Sequence, residues 1–210
     1  AAFACAVSNP GVNGTVRCWG ANAAGQLGDG TVTQRVRPVQ VNATATKMLK
    51  GVTAVAAGGS TACALLTTGS VKCWGLNSSG QLGNNSLVGS RLPVQVTGIN
   101  GVATKASSIA VGANFACARL ATGAVRCWGN NASGQLGNNS IVTSKVPVVV
   151  KTSTTVALSG VTAIAAGAGH ACAVRGSGAG ARVSCWGNNL NGQLGIGSTV
   201  CDPAQPQALP

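Results

Sequence analysis

The chain has 210 residues, of which 14 are Lys or Arg and two are acidic, so its formal net charge at pH 7 is +12. Only 8% of the residues are charged and 31 are glycine, and no apolar run approaches the roughly 20 residues of a membrane-spanning helix. Asp29 and Asp202 are the only acids and His170 is the only histidine. The residues needed for paired carboxylates, a Ser-His-Asp triad or a metal cluster are therefore almost absent. We therefore predict a protein that is not an enzyme and holds no cofactor or metal.

In chain order, the predicted elements are four copies of one unit. Each copy carries the segment Cys-Trp-Gly-x-Asn-x-x-Gly-Gln-Leu-Gly, whose first residues lie 55, 54 and 58 positions apart at Cys18, Cys73, Cys127 and Cys185. Such a period is typical of propellers, solenoids and arrays. The repeats extend over about 1–50, 51–100, 101–158 and 159–210. We predict that all four form one repeat domain over 1–210.

Repeat 2 shows the elements of a complete unit. It contains apolar or mixed segments at 52–57, 61–66 and 71–75, a loop, and then Pro93-Val94-Gln95-Val96. Short runs rich in Val, Ala, Ile and Thr, bounded by Gly, Asn, Ser and Pro, predict antiparallel strands rather than helices. About four strands make one small sheet, which must stack on its neighbours to bury both faces. Repeat 1 lacks the first of these segments.

These repeats closely resemble those of the regulator of chromosome condensation family, and their paired cysteines liken them to its secreted bacterial members. The shared signature is the segment quoted above, preceded by Cys-Ala and followed by Pro-x-x-Val, and it covers nearly the whole chain. The resemblance implies an all-β β-propeller, or part of one, with four-stranded antiparallel blades, usually seven in that family. Four motifs are compatible with a piece of a longer propeller, a subunit completed by further copies of itself as a homo-oligomer, or a small closed ring.

The cysteines lie in pairs on the two arms of each predicted hairpin. Between Cys63 and Cys73 the strands leave the loop Thr67-Thr68-Gly69, with glycine where a bulged turn needs a positive φ. The two cysteines then face each other with Cβ atoms ~4.5–5.5 Å apart, near the range of a disulfide. The predicted disulfides are Cys5–Cys18, Cys63–Cys73, Cys117–Cys127 and Cys172–Cys185. Buried free thiols are the alternative, and zinc is disfavoured because no C-x-x-C motif is present.

Four disulfides indicate an oxidising compartment, so we predict a secreted or cell-surface protein, extracellular or periplasmic, whose leader has been removed. The ninth cysteine, Cys201, has no counterpart in the other repeats. It is either a link to another chain or to a further part of this one, or a free thiol.

Residues copied in every repeat are predicted to build the blades rather than a site. The indoles fill the wedges between blades and the leucines recur where the loop returns to the core. These packing residues are Trp19, Trp74, Trp128, Trp186, Leu27, Leu82, Leu136 and Leu194.

Positive charge recurs at two positions of the repeat and predicts two basic rings or stripes. One set precedes the hairpin cysteine and comprises Arg17, Lys72 and Arg126; the other precedes the blade proline and comprises Arg35, Arg37, Arg91 and Lys145. Such a surface favours acidic polymers, nucleic acid or an anionic envelope surface, although an aromatic content of 3% leaves few rings for stacking on bases. A basic surface that serves solubility is the alternative.

Three functions follow from these features. The first is a non-catalytic, secreted or cell-surface protein-interaction scaffold. The second is a structural subunit that assembles through open blade edges into an extracellular oligomer or filament. The third is an electrostatic binder of acidic polymers or nucleic acid.

Overall fold

The computed structural model describes residues 2–101, 104–199 and 207–208. Within these ranges the chain forms four antiparallel sheets, which follow one another along the sequence. Sheet 1 contains β1 (Phe3–Ser8), β2 (Thr15–Gly20) and β3 (Arg35–Gln40). Sheet 2 contains β4 (Val52–Gly58), β5 (Thr61–Leu66), β6 (Ser70–Gly75) and β7 (Ser90–Asn100).

The remaining two sheets repeat the order of sheet 2, each strand pairing with the next. Sheet 3 contains β8 (Ala106–Val111), β9 (Phe115–Leu120), β10 (Val125–Gly129) and β11 (Ser144–Val149). Sheet 4 contains β12 (Val161–Ala166), β13 (His170–Arg175), β14 (Arg182–Gly187) and β15 (Gln207–Ala208), with a short 3₁₀ helix at Gly178–Gly180. None of the helical structure in the described ranges is long and apolar enough to span a membrane.

The predicted disulfides are confirmed in all four sheets. In each hairpin the two cysteines stand directly opposite each other in the strand register, with Cα atoms 4.0–4.1 Å apart. The predicted three-residue loop of repeat 2 is present as well: Gly69 has φ +83° and its N–H donates to Leu66 O at 2.8 Å. Cys201 and Asp202 lie outside the described residues.

The core lies between the sheets rather than within one of them. Three apolar clusters each combine residues of two successive sheets, and each contains one fully buried indole, from Trp74, Trp128 or Trp186. A sheet with one partner therefore has one unburied face, as expected for stacked repeats.

The first strands of successive repeats approach each other closely at their ends. A Cβ atom added at Gly58 or Gly59 would overlap the carbonyl oxygens of Gly112 and Ala113 in the next repeat. Ala113 N in turn donates to Ala168 O at 3.0 Å. The small residues here are needed because backbone packs against backbone.

Sheet 1 has three strands, which agrees with the absence of the first apolar segment from repeat 1. Its strand β1 corresponds to β5, β9 and β13, each of which pairs with a preceding strand. Among the described residues, β1 pairs with β2 alone. This edge of sheet 1 therefore has no neighbouring strand within the described ranges.

Candidate interaction surface: the clamped loops

Each buried indole reaches from its own blade into the preceding one. The Nε1–H groups of Trp74, Trp128 and Trp186 donate to the carbonyl oxygens of Gln26, Gln81 and Gln135 at 2.9–3.0 Å. A buried indole N–H needs such an acceptor, because an unpaired donor would lose its solvation without compensation. The tryptophan of one repeat is thereby bonded to the Gln-Leu-Gly turn of the repeat before it.

The glycine that ends this turn makes room for the incoming ring. Gly83 has φ +65°, and a Cβ atom there would lie 2.7 Å from Trp128 Cδ1 and 2.8 Å from Nε1. Gly28 and Gly137 face Trp74 and Trp186 in the same way. The contact therefore recurs at three junctions between blades.

Trp19 differs from the other three tryptophans. It is half-buried, and its Nε1 donates to no acceptor among the described residues. At the opposite end, no indole of the described ranges reaches the carbonyl of Gln193. Within the described ranges no blade precedes sheet 1, so the role of Trp19 as a residue wedged between blades stays a prediction.

A buried asparagine in the shared segment organises the loop that follows. Its Oδ1 accepts from the backbone N–H of the repeat leucine at 2.8–3.0 Å, in Asn22, Asn77, Asn131 and Asn189. In repeat 2 its Nδ2 donates to Ser86 O and Val88 O, both at 2.9 Å. The equivalent acceptors are Ser140 O and Val142 O at 2.8 and 3.0 Å in repeat 3, and Thr31 O and Thr33 O at 3.2 and 3.0 Å in repeat 1.

These segments, 31–33, 86–88 and 140–142, are here called the clamped loops. The residue between the two bonded carbonyls is apolar and exposed in each: Val32 at 45%, Leu87 at 56% and Ile141 at 59%. Val88 and Val142 beside them are 75% and 70% exposed. Apolar side chains are thus exposed to solvent on backbone that hydrogen bonds from a buried asparagine hold in place.

The glutamines of the repeat serve the same framework. The Oε1 atoms of Gln26, Gln81, Gln135 and Gln193 accept from the N–H two residues earlier at 2.7–2.9 Å. The leucines that follow, Leu27, Leu82, Leu136 and Leu194, are at most 1% exposed.

The basic residues divide into three groups. Arg17 is exposed, whereas Lys72 and Arg126 at the same repeat position are half-buried. Arg35 is engaged in an ion pair, with Nη2 3.0 Å from Asp29 Oδ2. Arg37, Arg91 and Lys145 are exposed.

Asp29 caps its loop in place of an asparagine. It accepts from the backbone N–H and hydroxyl of Thr31 at 2.9 and 2.7 Å and from Arg35 Nε at 3.0 Å. Burial alone would raise the pKa of Asp29, but the bonds from Thr31 and the Arg35 guanidinium outweigh it and hold the pKa below its ordinary range. Asn84 and Asn138 occupy the equivalent positions and accept from Asn77 and Asn131.

Other candidate sites offer little chemistry. A depression where the ends of β4, β8 and β12 meet is lined by Gly, Ala and one Val. Within the described ranges, no three His, Cys, Asp or Glu residues come together as metal ligands would. The clamped loops are the feature that presents side chains outward in a repeated and ordered way.

The shared segments match a known family over most of the chain. The profile of the regulator of chromosome condensation (RCC1) repeat matches residues 13–65, 68–119 and 122–174, and a second profile of that repeat matches 52–81, 106–135 and 161–193. The chain belongs to the RCC1 repeat family. Its RCC1 repeats carry, in addition, one disulfide in each sheet.

Two relatives illustrate how widely the repeat occurs. The human E3 ubiquitin-protein ligase HERC2 is 34% identical over 194 residues, which are 90% of this chain and 4% of that protein. The Ultraviolet-B receptor UVR8 of Arabidopsis thaliana is 30% identical over 196 residues, 92% of this chain and 42% of the receptor. The chain thus spans less than half the length of either relative.

Solved structures show the same fold. Human WBSCR16 superposes with a TM-score of 0.76 and 22% identity over 99% of this chain and 52% of that one. Yeast RCC1 (Prp20), in its structure with Kap60, gives 0.76 and 20% over 98% of this chain and 48% of that one. The four sheets therefore correspond to about half of an RCC1-type β-propeller.

Two hydrogen-bonding roles were not recognised from the sequence. The role of the repeated asparagine and the acceptor of the indole N–H were not predicted. The asparagine could have been recognised because it recurs at one position in all four copies. A side-chain amide buried in a packed repeat needs hydrogen-bond partners. For the indoles, their predicted burial already indicated that each N–H needs an acceptor.

Proposed function

We propose that the chain is a non-catalytic protein-interaction scaffold that binds its partner through the clamped loops. One observation carries this proposal. The residues that the repeats share are occupied in holding blades together, whereas Val32, Leu87 and Ile141 are held outward in solvent. Exposed apolar side chains on a fixed backbone suit protein recognition, because little conformational freedom is lost on binding.

We place this scaffold at the cell surface or outside the cell. The four disulfides support that location, since such bonds form and persist in oxidising compartments. Related structures support a binding role in general: yeast RCC1 (Prp20) is bound to Kap60 in one of them, and Prp20p of Saccharomyces cerevisiae has binding properties to Gsp1p and histones.

Site-specific photo-crosslinking in the producing cells tests the proposal. A photoreactive amino acid is placed at Val142 in a clamped loop, and as a control at Val12, which is 81% exposed on the turn between β1 and β2. We expect a discrete crosslinked protein from position 142 and none from position 12. Equal yields from the two positions, or no product at 142, would refute binding through the clamped loops.

A second candidate, a subunit that assembles with further copies of itself, is favoured by the outer faces of sheets 1 and 4. Trp19 at one end is an indole without an acceptor among the described residues, and Gln193 at the other presents the carbonyl that an indole would use. Head-to-tail contact of this type generates rings or filaments, and the unpaired edge of β1 can add a strand.

Light scattering over a concentration series tests this second candidate. Self-assembly predicts that the mass grows with concentration. This growth should be lost in Trp19→Ala but retained in Val156→Ala, which changes an exposed apolar residue elsewhere. Repeating the series with Cys201→Ser shows whether Cys201 links copies, because this change leaves the four disulfides of the sheets intact. A constant monomer mass would exclude self-assembly.

A further inference from the structure

The junction between blades sets a cation beside each of two clamped loops. Asn85 N donates to Lys145 O of the next blade at 3.0 Å, and Gly30 N donates to Arg91 O at 3.2 Å. Asn85 and Gly30 each lie two residues before the exposed apolar residue of their loop, Leu87 and Val32. Apolar and basic side chains therefore alternate from one blade to the next.

The position of each cation is fixed by direct backbone contact. A Cβ atom added at Gly80 would lie 2.6 Å from Lys145 Cα, and one at Gly25 would lie 2.9 Å from Arg91 Cα. Each basic residue thus rests on a glycine of the preceding blade. Its exposed side chain begins at a defined place relative to the loop of that blade.

These two cations are not neutralised within the part of the chain that the structure describes. The one ion pair found there joins Arg35 and Asp29. Arg91 and Lys145 are exposed and make no ion pair there. A partner that supplies carboxylates would therefore meet unpaired charge next to apolar surface.

We infer that the alternating ridge, formed by Val32, Arg91, Leu87, Val88, Lys145, Ile141 and Val142, binds an extended polypeptide segment in which acidic and apolar residues alternate along the face turned toward the ridge. This inference rests on the proposed scaffold function and names the chemistry of its partner. Successive side chains of an extended segment point to opposite faces, so the residues that face the ridge are every second one along the segment. Its carboxylates can pair with Arg91 and Lys145 while its apolar side chains cover the loop residues.

The composition of the ridge favours a polypeptide over nucleic acid. Single strands are held by cations together with exposed aromatic rings that stack on bases. Here Trp74, Trp128 and Trp186 are fully buried, and aliphatic residues stand next to the cations instead. Aliphatic surface gains from contact with apolar side chains and gains nothing from phosphates.

Fluorescence anisotropy with synthetic peptides tests the inference. The probes are a labelled Asp-Val peptide with the repeat Asp-Ser-Val-Ser, an Asp-Ser peptide of the same charge with Ser in place of each Val, and a single-stranded oligonucleotide of the same charge. We expect the Asp-Val peptide to bind at least about tenfold more tightly than the other two, because only it matches both kinds of group on the ridge.

Matched variants assign the binding to the ridge. Lys145→Glu and Ile141→Ser are each expected to weaken the Asp-Val peptide by about tenfold or more. Their controls at exposed residues elsewhere are Lys47→Glu, the same charge reversal, and Val12→Ser, a comparable change from a β-branched aliphatic residue to serine. Both controls are expected to stay within about twofold of the unchanged chain, as residues outside an interface usually do. If Lys145→Glu does not fold, as judged by circular dichroism, Arg91→Glu takes its place.

Several outcomes would overturn the inference. If the Asp-Ser peptide binds equally tightly, the apolar residues of the ridge do not contribute and the ridge is only a charged patch. If the oligonucleotide binds more tightly, the ridge is a nucleic-acid site. An unchanged affinity in both ridge variants would place the binding elsewhere. If the peptide fails while position 142 still crosslinks a protein in cells, the scaffold function stands and the partner chemistry is wrong; if both fail, the clamped loops are not the binding surface.

Discussion

The contact between Gly83 and Trp128 provides a quantitative test of how blades are joined. We consider Gly83→Ala together with Gly160→Ala, two glycines with φ +65° and +67°. At Gly160 an added Cβ meets nothing within 4 Å, whereas at Gly83 it lies 2.7 Å from Trp128 Cδ1. The two variants therefore share a backbone cost and differ in what the methyl group displaces.

The magnitudes separate the two cases. Alanine in the left-handed region costs about 1–2 kcal/mol, partly offset by the lower entropy of the unfolded chain, about 0.4–1 kcal/mol. We expect Gly160→Ala to lower the free energy of unfolding by about 1 kcal/mol. Gly83→Ala adds overpacking of about 1–3 kcal/mol and displaces the indole from Gln81 O, which leaves a buried donor unpaired at about 1–3 kcal/mol.

The assay is guanidinium unfolding followed by tryptophan fluorescence, with the disulfides intact. We predict that Gly83→Ala loses at least about 2 kcal/mol more than Gly160→Ala. Equal losses of the free energy of unfolding in the two variants would show that the contact between Gly83 and Trp128 accommodates the methyl group without cost. The close fit of indole to turn would then not be what joins the blades.

Three further predictions concern the clamp, the acidic residue and the disulfides. Asn131→Ala removes four hydrogen bonds and should lower the free energy of unfolding by about 3 kcal/mol or more, measured in the same assay; Asn130→Ala, whose side chain accepts one long bond from Ala132 N at 3.3 Å, should cost less than about 1 kcal/mol, and equal effects would refute the clamp. The pKa of Asp29 is lowered in the folded chain, so its stabilisation is present above the ordinary pKa and is lost as the pH falls below about 4. The unchanged protein should therefore lose more stability on acidification through that range than Asp29→Asn, and identical pH profiles would contradict this. Replacing Cys63 and Cys73 together by Ala should lower the stability by about 2–4 kcal/mol, and a variant as stable as the parent in thermal unfolding would show that this bond is dispensable.

The local features of each repeat could be predicted from the sequence. The hairpin between β5 and β6, its glycine turn and the pairing of Cys63 with Cys73 depend on residues within 10 positions of each other. Alternation and turn chemistry are sufficient for such contacts. The same reasoning anticipated a first sheet without its apolar strand.

Contacts between repeats could not be assigned in the same way. The bond from Trp128 to Gln81 O spans 47 positions, and each of its ends belongs to a segment that recurs in all four repeats. The repeat pattern alone does not determine which copy contacts which. The alternating ridge was hidden for the same reason, because the bond from Asn85 N to Lys145 O joins two blades. The ion pair of Arg35 with Asp29 joins two residues of one repeat, whereas the role of Arg35 in a contact surface stays a prediction.

Trp74, Trp128 and Trp186 each bond their blade to the one before it, and we propose that this leaves the clamped loops free for a partner. Hydrogen exchange of the four indole N–H groups, followed by NMR in dilute solution, tests this claim most directly. We predict slow exchange for Trp74, Trp128 and Trp186, whose N–H groups are buried and bonded, and exchange at least about a hundredfold faster for Trp19. Four equal rates, or a fast rate at any of the three buried indoles, would contradict it.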